Sequence, residues 1–339
     1  MIRRKPMHVI KQALALLVFL YASQTWADVP SLPLEDVRET YELPTSQYVD
    51  LDGVSVHYID EGVGDTVILL HASYHSLRSW DPIAALLKDR FRVVRLDFAN
   101  AGLTGPDPQE LNSIERNIDL LERLIQKLRL EKFALVGTSS GGVVAFRYAA
   151  ENTDKVSRLV LINSAGLPRT PRTNPLGDPG SARRQQIEEV NKSRSYWHGL
   201  LDNNFIGDHT PPTWMVDMAY DMNRREGLGE ELQRYTRAYK TGDPKTVLAQ
   251  ITSPTMIIWG MNNPTVVHLE ADVYQHWLTS APSLVRKVPN TGHYPYVEEP
   301  EIFNTLIGDF VTGALNVRHQ SIWNRRVDKL RESLAHHVC

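Results

Sequence analysis

The sequence holds one cysteine, Cys339, at the last of its 339 positions. That scarcity excludes an internal disulfide framework and any cysteine-rich metal site. An excess of charge of one sign is missing too. Lys and Arg number 37 against 40 Asp and Glu, a formal net charge of −3, which gives no electrostatic reason to expect a nucleic-acid partner. Twenty Gly and twenty Pro are scattered without period, so collagen-like and low-complexity architectures are excluded. What remains is an ordinary globular composition, 42% apolar and 23% charged, in a chain long enough for one large α/β domain or two average ones.

The N-terminus departs from that average. Arg3, Arg4, Lys5 and Lys11 precede an apolar run, Ala13 to Ala22, and Thr25-Trp26-Ala27 follows. A positive flank, a short apolar stretch and small residues at −3 and −1 predict a secretory signal peptide over residues 1–27, cut before Asp28. The run is about half the roughly 20 residues that span a bilayer. The expected location is the periplasm or the exterior, and the alternative is an uncleaved N-terminal anchor. Cleavage would leave 312 residues with 33 basic and 40 acidic groups, distinctly more acidic than the full chain.

Strand-like runs occur at 54–59, 66–71, 92–98, 133–136, 158–162, 256–259 and 284–288. Several are continuously apolar, as strands buried on both faces require. Helical patterns lie between them. Over 114–130, Ile118, Leu121, Leu124, Ile125 and Leu128 form one stripe, with Glu115 and Arg116 outside it. The alternation predicts an α/β fold with a doubly wound, mostly parallel sheet. It breaks over 166–251, which opens with four prolines and then turns helical and polar, and it resumes after Pro254. The expected organisation is a leader (1–27), a first core part (28–165), an inserted helical cap (166–251), a second core part (252–315) and a basic amphipathic helix (316–339). That last helix carries Trp323, Val327, Leu330, Leu334 and Val338 at helical spacing among five Arg and Lys. It could dock on its own sheet, lie on a membrane surface or self-associate.

Phe133-Ala-Leu-Val-Gly137-Thr138-Ser139-Ser140-Gly141-Gly142 reads as strand, sharp turn and helix. Gly137-x-Ser139-x-Gly141 between a buried strand and an apolar helix is the pattern of a nucleophile elbow, which projects a serine hydroxyl above a sheet. An acid and a histidine should then follow in chain order. His293 fits the second, in Asn290-Thr-Gly292-His293-Tyr-Pro after the last strand, and is the expected general base. The backbone N–H of Ser140 should form one half of an oxyanion hole. The strand ending at Leu70-His71-Ala72-Ser73 offers the other half at Ser73, with Ala72 as the alternative. His71 and His75 lack an acidic or third histidine partner at ligand spacing, so no metal is expected there.

These motifs resemble the α/β-hydrolase superfamily, in the helical-capped branch of epoxide hydrolases, carbon–carbon hydrolases and esterases. The similarity runs from about Val54 to Phe310. It takes in Arg95-Leu-Asp97-Phe-Ala-Asn100-Ala-Gly102-Leu-Thr104-Gly, which looks like the branch's Asp-x-x-Gly-x-Gly-x-Ser/Thr loop. It also takes in Gly292-His293-Tyr-Pro-Tyr-Val-Glu298-Glu-Pro300, similar to its histidine motif. The resemblance implies hydrolysis without a cofactor. A serine nucleophile sets the chain apart from branch members that use aspartate.

Three departures stand out. Ala72 replaces the usual glycine of His-Gly and is expected to restrict the backbone turn. Asn100 replaces the first glycine of the aspartate loop. Most consequential, the branch's Trp-Gly-x-x-Asp reads Trp259-Gly-Met-Asn-Asn263, and the alternative acid position falls at Asn163. Asn263 can accept the Nδ1 hydrogen of His293, but it cannot offset an imidazolium charge, and a rotated amide would favour the wrong tautomer. Glu270 or Asp272 could substitute, although a helix is expected to point them away. The functional expectation is a serine hydrolase of a small organic substrate, a carboxylic ester foremost. A carbon–carbon bond hydrolase is one alternative, and a ligand-binding pseudo-hydrolase is the other. Trp197, Phe205, Trp214 and Tyr220 of the cap could line the pocket or pack the cap on the core.

Overall fold

The computed structural model describes residues 29–111, 113–168, 192–228 and 243–315. The expected leader and the basic helix at 316–339 lie outside the described residues, as do 169–191 and 229–242 of the expected cap. The chain divides into two compact units, Met1–Pro30 and Ser31–Cys339, and the fold described is that of the second.

Helix α1 (Leu34–Tyr41) precedes the sheet strands β1 (Gln47–Leu51), β2 (Val54–Glu61) and β3 (Thr66–Leu70). Helix α2 (Asp81–Leu87), β4 (Arg92–Leu96) and α3 (Ile114–Lys127) follow, then β5 (Phe133–Thr138), α4 (Ser140–Glu151) and β6 (Val156–Ile162). Among the described residues, helices α5 (Arg194–Asp202) and α6 (Thr213–Met222) stand between β6 and α7 (Pro244–Gln250). The chain then runs through β7 (Thr255–Gly260), α8 (Glu270–Trp277), β8 (Ser283–Val288), α9 (Pro295–Glu298) and α10 (Pro300–Val311).

The eight strands form one sheet in the order β1-β2-β4-β3-β5-β6-β7-β8. β1–β2 and β2–β4 are antiparallel, and every other pair is parallel. The doubly wound, mostly parallel α/β architecture is therefore present. Helices cover both faces, and successive residues of each strand feed opposite cores, as the two-residue period of a strand dictates. Ile68, Leu70, Leu135, Leu159 and Ile257 pack in one core, while Val67, Leu69, Val136, Val160 and Ile258 pack in the other. Strand β1, absent from the sequence expectation, is a half-exposed edge with no continuous apolar run.

One charge is not where its periodicity placed it. Arg116 belongs to the buried side of α3, not outside the stripe. Its guanidinium contacts Asp107, Asp52 and Asp119 at 2.8 Å each, so three carboxylates make burial of this cation tolerable. The cap is tied to the N-terminal segment. Val37 of α1 packs with Leu103, Met218 and Met222, and Leu32 forms a parallel bridge to Arg225.

Candidate active site

Parallel strands deliver their C-terminal ends to one edge of the sheet, where a doubly wound fold builds its crevice. Ser139 sits there, between β5 and α4, with φ 50° and ψ −118°. That left-handed value is strained for a serine and is held because the chain leaves no alternative. Ser139 N–H donates to Ile162 O at 3.1 Å, and its carbonyl accepts from Gly142 N and Ala165 N. A Cβ on Gly137 would lie 2.4 Å from Gly141 O, and one on Gly141 would lie 2.5 Å from Leu70 O and His71 O. The two glycines thus let strand, turn and helix close around the serine.

Ser140 opens α4, so its N–H has no intrahelical acceptor and points out of the helix start. Ser73 lies against it: the Ser73 hydroxyl donates to Ser140 Oγ at 2.9 Å. Both residues line one cleft, and Ala72 does not. Ala72 is not among the residues with a left-handed backbone, and the left-handed turn in this loop falls at Tyr74, at φ 67°. Asn100 adopts φ 59°, a conformation that asparagine tolerates almost as glycine does.

The loop beside it is organised by the buried Asp97. Its carboxylate accepts from Leu77 N at 2.6 Å, Leu103 N at 2.8 Å and His57 Nδ1 at 2.7 Å. Burial alone would raise its pKa, but His57 and these donors outweigh it and hold the carboxyl below its usual range. His71 is occupied at both ring nitrogens. Nδ1 donates to Ala72 O at 2.7 Å, and Nε2 accepts from Phe98 N at 3.1 Å, leaving neither for a metal.

His293 is buried, and its Nδ1 lies 3.2 Å from Asn263 Oδ1. The orientation of that amide is decided by the backbone. Asn263 Oδ1 also accepts from Thr265 N at 2.9 Å and Val266 N at 3.2 Å, which an amide NH₂ could not do. The oxygen therefore faces the imidazole, Nδ1 carries the hydrogen, and Nε2 keeps the lone pair a general base needs. The expected hazard of a rotated amide is removed by these two N–H groups. Asn263 Nδ2 is buried without a partner. Of the two acidic candidates, Asp272 pairs with Lys287 at 2.6 Å, and Glu270 stands in the first turn of α8.

Asn163 is no acid substitute either, and its contacts explain why it is an amide. Its Nδ2 donates to Gly292 O and His293 O at 3.0 Å each, and Oδ1 accepts from Gly260 N at 2.9 Å. A carboxylate could not donate to the two carbonyls. The arrangement thus offers a strained serine, the helix-start N–H of Ser140 next to it in the chain, and a histidine whose tautomer Asn263 fixes.

Residues 65–300 match the model of the alpha/beta hydrolase fold. The chain belongs to that family. The hydrolase is 25% identical over 81% of its length to 98% of a 2-hydroxy-6-oxononadienedioate/2-hydroxy-6-oxononatrienedioate hydrolase from Cupriavidus pinatubonensis. It is 23% identical over 76% of its length to the whole of a pimeloyl-[acyl-carrier protein] methyl ester esterase from Legionella pneumophila. In fold, it is similar to a bacterial membrane phospholipase A, with a TM-score of 0.68 at 23% identity, over 91% of this chain and 99% of that one. It is an enzyme of the serine hydrolase type.

Two groups of the hydrolase escaped the sequence reading. Glu298 was quoted in the histidine motif without a role, and its spacing of five from His293 was the available signal. Asn204 carried no signal at all. Of the four aromatics of 166–251, Trp197 and Phe205 are buried in the core, and none of the four lines the cleft at Ser73 and Ser140. Among the described residues, no helix is long and apolar enough to cross a membrane.

Proposed function

We propose that the chain hydrolyses neutral carboxylic esters, with Ser139 as nucleophile, His293 as general base and acid, and Asn263 as the orienting residue. The observation that carries the reading is the fixed amide of Asn263, which accepts the hydrogen of His293 at Nδ1 and so leaves the ring's lone pair on Nε2. Ser139 Oγ attacks the ester carbonyl carbon as its proton passes to Nε2, and the oxyanion is held by the N–H groups of Ser73 and Ser140. Collapse expels the alcohol, which takes the proton from His293 and leaves an acyl-serine. Water, deprotonated by the same nitrogen, attacks that acyl group, and the acid leaves with Ser139 reprotonated. Each oxyanion donor contributes about 10²–10³ in kcat in comparable sites.

The cleft supports a neutral substrate. Phe98, Ile114, Val144, Met222 and Leu228 give it apolar walls, and Asn100, Asn117 and Asn223 supply uncharged polar groups. Among its described lining residues there is no Lys, Arg, Asp or Glu. Burial, reinforced by His71 and His293, pushes the pKa of His75 down to about 3, and burial also lowers that of His71, so neither supplies a cation at neutral pH. A second reading, carbon–carbon hydrolysis, draws on the dienedioate hydrolases among the relatives. Such substrates carry two carboxylates, for which the described lining offers no cation.

The test is a panel of p-nitrophenyl esters of increasing acyl length, with a dienedioate assayed in parallel. The expected outcome is ester turnover that Ser139→Ala abolishes, with little or none on the dienedioate. Full ester hydrolysis by Ser139→Ala would overturn the nucleophile assignment, and faster turnover of the dienedioate would overturn the bond type. Export to the periplasm or exterior, and any membrane or self-association through 316–339, belong to the same proposal as untried extensions. Fractionation of the tagged full-length chain tests the first, and liposome flotation tests the second.

A further inference from the structure

The loop that carries His293 is anchored on every side by groups outside it. Gly292 N–H donates to both carboxylate oxygens of Glu298, at 3.0 and 2.9 Å. The next N–H, of His293 itself, donates to the cap carbonyl of Asn204 at 2.8 Å. The backbone N–H groups of Tyr294 and, from the preceding segment, Ile206 also act on the Glu298 carboxylate and favour its charged form, against the burial that raises its pKa. Approach is so close that a Cβ on Gly292 would lie 2.1 Å from Asn204 O.

Asn204 reaches the second catalytic loop with its side chain. Its Oδ1 accepts from the Thr265 hydroxyl at 2.5 Å, and its Nδ2 donates to Leu200 O at 2.8 Å at the end of α5. Thr265 is the residue whose N–H fixes the Asn263 amide. One cap residue, mostly buried at 8% exposure, therefore touches both the base loop and the orienter loop.

We infer that Asn204 is a positioning residue for the reaction, tying His293 and Asn263 together from the cap. The need follows from Asn263 being neutral. A carboxylate would draw the imidazole by charge as well as by hydrogen bond, whereas a 3.2 Å neutral contact leaves the ring's placement to its backbone anchors. The cap thus does two things at once: it walls the substrate cleft and sets the distance between base and orienter. The inference rests on the roles proposed above for Ser139 and His293.

The test uses Thr265→Val, which removes only the hydroxyl, Thr265→Ser, which keeps it, and Asn204→Ala, in the full-length enzyme. Three readouts are kcat and KM on a p-nitrophenyl ester, the rate of fluorophosphonate labelling of Ser139, and the thermal midpoint. Thr265→Val and Asn204→Ala should each lower kcat and the labelling rate by about tenfold with KM nearly unchanged, as removal of partners behind a catalytic group does. Thr265→Ser should restore both rates, and the double variant should be no worse than the poorer single one. If Thr265→Val labels and turns over within twofold of wild type, the inference is overturned, even if Asn204→Ala does not fold. A loss confined to KM would overturn it equally. Failure of wild type to label at Ser139 would instead overturn the underlying functional reading.

Discussion

Replacing Asn263 by aspartate should make the enzyme faster. The perturbation is nearly isosteric: Oδ1 keeps Thr265 N, Val266 N and His293 Nδ1 as donors, and the new Oδ2 takes the place of the unpartnered Nδ2. A carboxylate about 4 Å from an imidazolium is worth about 4 kcal/mol at an effective dielectric of 20. Burying the second oxygen without a donor takes back roughly 1 kcal/mol or more. The net of about 3 kcal/mol, realised only when His293 is protonated, corresponds to about a 10²-fold rise in kcat. Serine proteases lose about 10⁴ when the corresponding aspartate becomes asparagine, but that figure includes a wrong tautomer. Here the tautomer is already right, so the smaller figure applies. The assay is kcat and kcat/KM against pH on a p-nitrophenyl ester, with the acidic limb of kcat/KM expected to move to higher pH as well. A folded Asn263→Asp enzyme with kcat within twofold of wild type would refute the reasoning, because the charge at that position would then be irrelevant to the base.

Two further predictions concern pH and stability. Burial pushes the Glu298 carboxyl up to about 7, from 4.5 in the unfolded chain, so the folded state holds a proton that the unfolded state has released. Its contribution is therefore greatest below pH 4.5 and is lost as pH rises to 7. Raising the pH from 5 to 7 should cost wild type about 2 kcal/mol more than Glu298→Gln, measured by urea denaturation at both pH values. His75 behaves in the opposite sense. Its folded value of about 3 lies below the unfolded 6.5, so stability present above 6.5 is lost as pH falls. Acidification from pH 7 to 4 should cost wild type about 3 kcal/mol more than His75→Phe, a change that keeps the ring beside Tyr294 at 4.9 Å. Equal losses in the two proteins would contradict either argument.

Ser139 and His293 were legible in the chain because their surroundings repeat a local necessity: glycines where an elbow closes, and a loop after the last strand. The buried strands were legible for the same reason, since two covered faces demand continuous apolar runs. Asn263 was legible as a position but not as a device. Which way its amide faces depends on Thr265 N and Val266 N, and hydrogen-bond direction is not written in residue type. Arg116 was misplaced because helical periodicity ranks side chains by polarity, whereas its burial depends on Asp52 and Asp107, 64 and 9 residues away. Asn204 was invisible: its partners Thr265 and His293 are 61 and 89 residues downstream, and one asparagine in a polar cap has no pattern of its own. Asn163 looked like a lost acid until its two donated bonds showed that only an amide serves there.

In this reading Ser139 is an activated nucleophile whose base is held by an asparagine. Intact-mass analysis after exposure to a fluorophosphonate reads that directly, whatever the natural ester. A single adduct is expected on the wild-type chain, mapped to Ser139 by peptide mass, absent from Ser139→Ala and strongly slowed in His293→Ala. An unlabelled wild-type protein, or an adduct that persists in Ser139→Ala, would contradict it.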